Sequence, residues 1–111
     1  MKSSLDNLQK EFSGKNVFFH KGKSKDILTQ FPDRYFDLVY IDGDHSYDAV
    51  LFDLESCRLK VKDGGIIAGH DYSKTRFPEV FLAVNNFCKI HNLDIEAITK
   101  DLCPSFMIIN K

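Results

Sequence analysis

The sequence predicts an α/β fold built on a mainly parallel sheet, and three observations predict it. Residues 36–41 (FDLVYI) are almost unbroken apolar sequence without strict alternation, the pattern of a strand covered on both faces. Amphipathic stretches of helical period separate the strand-like runs, as right-handed crossovers between parallel strands require. The last twenty residues hold two further strand-like runs joined by a short polar link, which read as an antiparallel pair closing the sheet.

Taken in order, Leu5, Leu8 and Phe12 fall at i, i+3 and i+7 and predict a first helix over 4–12, with Ser3 and Asp6 as a weak capping pair. Gly14 ends it, and 16–20 (NVFFH) make a brief strand. Residues 25–31 give one or two helical turns, closed by Pro32. After the central strand 36–41, Val50, Leu54, Cys57 and Val61 mark one face of a helix over 48–62, with Asp53, Glu55, Arg58 and Lys60 on other faces. The stretch KDGG (62–65) reads as the turn that stops it, before a buried strand at 66–68. Pro78 opens the next helix, whose stripe of Val80, Val84 and Phe87 runs to about His91. Strands over 93–99 and 105–110 complete the chain.

The bulk properties narrow the function. A chain of 111 residues fits one domain, 1–111, with a single core. Its charged residues nearly balance, at a net charge of -1, which disfavours nucleic acid and anionic membranes as partners. No apolar run spans a bilayer and the start lacks a signal-peptide core, so a cytoplasmic protein is expected. Cys57, Cys88 and Cys103 are odd in number and widely spaced, which argues for reduced thiols over disulfides or a zinc ribbon.

In open α/β sheets ligands bind beyond the carboxyl ends of the strands. Polar residues gather at three such ends: Gly22, Lys23 and Ser24; then Asp42, Gly43, Asp44 and His45; then Gly69, His70 and Asp71. Familiar motifs fail here. A P-loop ending at Gly22-Lys23-Ser24 needs glycine at position 17, which is Val. A calcium loop starting at Asp42 needs glycine where Tyr47 stands. A phosphohydrolase pair at His70-Asp71 lacks the further His ligands such sites use.

IDGDHSYDAV at 41–50, followed by DGGIIAGHDYS at 63–73, resembles the class I S-adenosylmethionine-dependent methyltransferases. More narrowly it resembles the metal-assisted small-molecule O-methyltransferase branch, of the methyltransferase domain 24 type. The resemblance implies a three-layer Rossmann-like methyltransferase sheet, truncated, with family strand order 3-4-5-7-6 and a C-terminal antiparallel hairpin. It implies a divalent cation, usually magnesium, at Asp42, His70 and Asp71. The imidazole at position 70, where a carboxylate is often found, suits manganese, iron or zinc better than magnesium. The alternative for Asp42 and Asp71 is that each caps the helix after its strand.

By the same resemblance His45 is the general base that takes a proton from the acceptor hydroxyl during in-line methyl transfer. The bland alternative is a histidine hydrogen-bonded within its turn, holding Tyr47 or Asp44. Tyr47 and Tyr72 are candidate pocket walls. For the cofactor, Gly22, Lys23 and Ser24 fall beside the adenine, and Asp42 helps to shape the pocket. The family's first two strands, with their glycine-rich turn and acidic ribose contact, have no counterpart. A free sheet edge follows, and with it a homo-oligomer or a separately encoded N-terminal half as partner. The expected activity is methyl transfer to a small hydroxylated acceptor by a split or reduced enzyme. The alternative is a non-catalytic remnant acting as a binding module.

Overall fold

The computed structural model describes residues 16–21, 28–42, 45–99 and 104–110. The elements are β1 (Val17–Lys21), β2 (Phe36–Asp42), α1 (Tyr47–Lys60), β3 (Val61–Gly69), α2 (Pro78–His91), β4 (Ile95–Ile98) and β5 (Phe106–Ile109). They form a five-stranded sheet in the order β1-β2-β3-β5-β4, the order expected. β1, β2 and β3 run parallel, and β5 is antiparallel to both its neighbours. The architecture is Rossmann-like: three parallel strands with an antiparallel pair closing one edge. The helix expected over 4–12 lies outside the described residues, as do residues 25–27 of the 25–31 segment.

Side chains alternate across β2, so Val39 and Ile41 face one way while Leu38 and Tyr40 face the other. Val39 and Ile41 join Leu54 and Cys57 of α1 and Val84 and Phe87 of α2 in one buried cluster, so both helices pack on one face of the sheet. Leu38, Tyr40 and Ala68 are buried on the opposite face, where the Tyr40 hydroxyl lies 3.0 Å from Ser105 Oγ. Burial on both faces is what the unbroken apolar run of β2 requires.

Local signals set the helix ends. Ser46 caps α1, its Oγ accepting from the Ala49 N–H at 3.4 Å, and Asp48 sits in the positive first turn. α2 starts with proline at its first turn and ends at Asn92 in the left-handed region, with the Leu93 N–H donating to Cys88 O at 2.8 Å.

Two expectations need correction. Helix α1 stops at Lys60, and Val61 begins β3 instead of closing the helical stripe. KDGG is no terminal turn: Phe36 pairs with Val61 but Leu38 with Ile66, so 62–65 bulge within β3, eased by Gly64 at φ +83°. The exposed carbonyls of the helix end are met by neighbours. Arg34 and Tyr35 N–H groups donate to Leu59 and Lys60, and the Asn110 amide donates to Arg58 and Val61. Asp53, expected on an outer face, is buried.

Burial also governs the thiols. Desolvation pushes Cys57 far up, with the Asp53 charge adding to it, and pushes Cys88 up to about 11. Both are free and buried; Cys103 lies outside the described residues.

Candidate active site

Parallel pairing puts the carboxyl ends of β2 and β3 at one rim, with Ile41 beside Gly69 in register. A side chain at Gly69 would collide with the Phe106 ring of β5, so only glycine lets β5 close over this corner. The next two residues turn outward. Asp71 has φ +63°, a conformation that costs a non-glycine residue about 1–2 kcal/mol and that aspartate tolerates better than most. It is stabilised by the Tyr72 N–H donating to Pro104 O at 2.8 Å and the Ser73 N–H donating to Asp71 O at 2.9 Å.

This turn buries the Asp71 carboxylate between two imidazoles. His45 Nε2 lies 2.6 Å from Asp71 Oδ2, and His70 Nε2 lies 3.2 Å from Asp71 Oδ1. The first contact requires the proton on His45 Nε2, leaving Nδ1 as the lone-pair acceptor of the neutral ring. The His45 ring stacks on Phe77, centroids 4.3 Å apart, and remains 48% exposed. Asp42, His45, His70 and Asp71 line one recess with Ile41, Val50, Val80 and Phe106 around them. Its cavity is about 10 Å³, room for roughly one water, so a larger molecule must sit at its mouth beside His45.

The structure thus brings together His45, Asp42, His70 and Asp71, which the sequence separates by up to 29 positions. Neither aspartate caps a helix: Ser46 caps α1, and α2 has no side-chain cap. His45 does not hold Tyr47, whose hydroxyl accepts from Asn86 Nδ2 at 2.9 Å. Tyr47 and Tyr72 do not line the recess. Tyr72 stacks on Phe81 and donates to Asn85 Oδ1 at 2.6 Å, and burial raises its phenol above the ordinary value. Gly22, Lys23, Ser24 and Asp44 lie outside the described residues. Phe77 was not singled out in the sequence, because an aromatic before a helix-starting proline gives no hint of which ring it will meet.

Two carboxylates and two imidazoles are suitable metal donors, and His70 Nδ1 is buried without a partner among the described residues. Yet no three such side chains among the described residues are placed to hold one ion. Both Asp71 oxygens face imidazole nitrogens instead, so the described residues as they stand do not fit a metal.

A family model described as a methyltransferase domain matches residues 2–72, which include the Asp42 turn and the His70-Asp71 pair. No curated protein matches the chain. No helix among the described residues is long and apolar enough to cross a membrane. The family implies S-adenosylmethionine as methyl donor. With well over half its length matched, on a sheet of the expected order, the chain belongs to the class I S-adenosylmethionine-dependent methyltransferases.

Proposed function

We propose that the chain forms, over 1–111, the acceptor-side part of a cytoplasmic methyltransferase that methylates a hydroxyl of a small molecule. The observation that carries this reading is the 2.6 Å contact between His45 and a largely buried Asp71 at the mouth of the rim recess. Bound S-adenosylmethionine supplies an electrophilic methyl carbon. Asp71 accepts from His45 Nε2–H and so holds the ring with Nδ1 free. An acceptor hydroxyl at the mouth gives its proton to Nδ1 as its oxygen forms the new bond to carbon and the carbon–sulfur bond breaks. The buried carboxylate stabilises the imidazolium that results, and Phe77 limits rotation of the ring. Asp42 and, by the family resemblance, Gly22, Lys23 and Ser24 are the cofactor contacts of this reading. No step is assigned to a metal ion.

β1 is paired on one side only among the described residues, which supports a partner at that edge: a second copy or a separately encoded N-terminal half. The test is calorimetry with S-adenosylmethionine and its demethylated product, followed by labelled-methyl transfer in the presence of a chelator. Binding that weakens in Asp42→Ala, with chelator-resistant transfer lost in His45→Asn, is the expected result. Transfer that needs added magnesium or manganese restores the metal-assisted form of the reaction. No binding at millimolar cofactor, alone or with an N-terminal half, would leave the non-catalytic binding module.

A further inference from the structure

At the end of the sheet opposite the rim, two buried polar atoms lack a hydrogen-bond partner among the described residues: Arg58 Nε and Asn110 Oδ1. Both residues line one recess of about 50 Å³. Asn110 is 3% exposed and its amide is fixed in orientation, because Nδ2 donates to the carbonyls of Arg58 and Val61. Oδ1 is therefore the atom left without a partner among the described residues. The nearby carboxylates are already engaged, Asp33 with Lys60 at 2.9 Å and Asp63 with Arg34 at 3.6 Å. Arg58 has no ion pair among the described residues. Each unmet buried group costs about 1–3 kcal/mol, so a guest that meets both is favoured before any other contact is made.

The recess shares Asp33 and Leu59 with a larger cavity of about 370 Å³, walled by Leu28, Phe52 and Leu59. That volume falls within the usual range for small-molecule sites, about 300–1,000 Å³. Phe52 and Leu59 are 54% and 57% exposed, and as walls of one cavity they offer apolar surface that a guest can cover.

We infer that these two cavities, which share Asp33 and Leu59 as walls, together bind a small amphipathic 2-hydroxy acid. Its carboxylate accepts from Arg58 Nε–H, its hydroxyl donates to Asn110 Oδ1, and its apolar body lies against Leu28, Phe52 and Leu59. The carboxylate supplies the counter-charge that Arg58 has no described partner for, and the hydroxyl supplies the one donor that a plain carboxylate cannot. This site is independent of the proposed methyl transfer and lies at the other end of α1.

The test is nuclear magnetic resonance titration of the full chain with 3-phenyllactate at millimolar concentration. Saturable shifts at the Asn110 side-chain amide and at Phe52 and Leu59 are expected. Binding should weaken about tenfold or more in Arg58→Gln, the size of losing one charge-assisted hydrogen bond. Unchanged His45 resonances would show that this variant is folded. Lactate, which lacks the ring, and 3-phenylpropanoate, which lacks the hydroxyl, should each bind more weakly. The inference is overturned if 3-phenyllactate gives no saturable shift, which would leave water as the occupant. It is equally overturned if 3-phenylpropanoate binds as well, or if Arg58→Gln binds unchanged.

Discussion

Two histidine–carboxylate pairs join distant parts of this chain, and they differ in what surrounds them. His91 Nε2 sits 2.8 Å from both oxygens of Glu55, tying α2 to α1, with its ring against Phe87. His45 sits 2.6 Å from one oxygen of Asp71, at the mouth of a recess, with Phe77 across its face. The helix pair spends both carboxylate oxygens on one nitrogen and lines neither the rim recess nor the basal cavities. In both pairs the other ring nitrogen has no partner among the described residues, but the His45 side chain is 48% exposed against 20% for His91, and it stands beside two more polar side chains at the ends of parallel strands. The same two functional groups thus make a clasp between helices in one place and, in the proposed reaction, a proton acceptor in the other. What separates them is position on the sheet.

The sharpest way to break this comparison is to remove charge from each pair in turn. Asp71→Asn and His45→Asn should lower methyl transfer about 10²–10⁴-fold while leaving the denaturant midpoint little changed, measured by labelled-methyl transfer and urea unfolding. If Asp71→Asn unfolds the protein instead, the rim pair is structural like its counterpart. Gly69→Ala tests the corner that positions the rim. It should destabilise the fold by about 1–3 kcal/mol in urea titrations, because a methyl group has no room beside Phe106.

A third measurement probes the helix pair's surroundings. Cys88 lies one turn before His91 and keeps its proton to about pH 11, against 9.0 for an ordinary thiol. The folded value is the higher one, so this contribution to stability is complete below pH 9. It is lost as pH rises toward 11, because the unfolded chain ionises first. Its share of the slope should be on the order of 1 kcal/mol per pH unit and should disappear in Cys88→Ala, leaving the similar share of Cys57. The smallest effect belongs to Glu55→Gln. A part-exposed pair contributes below about 1 kcal/mol, and methyl transfer should be unaffected.

Much of the sheet was legible in the sequence because apolar runs and helical periods are local signals. The convergence of Asp42, His45, His70 and Asp71 was legible too, since parallel strands must bring their carboxyl ends together. Other features depend on contacts between residues far apart. Val61 fits the helical stripe as well as it fits a strand, and only pairing with Phe36 decides for the strand. The sequence could show imidazoles near a carboxylate. It could not show that both Asp71 oxygens would be engaged by them, which depends on the left-handed turn at residue 71. Tyr47 and Tyr72 looked like pocket walls from their place in the chain, but Asn86 and Asn85 of α2 draw their hydroxyls elsewhere.

The claim on which the account turns is that Asp71 fixes the proton on Nε2 of His45 and leaves Nδ1 as acceptor. Long-range ¹H–¹⁵N spectra of the histidine rings test it directly at a pH where His45 is neutral. The account predicts a protonated Nε2 and a bare Nδ1 for His45, with that preference lost in Asp71→Asn. A protonated Nδ1 in the unaltered protein, or a pattern unchanged by Asp71→Asn, would contradict it.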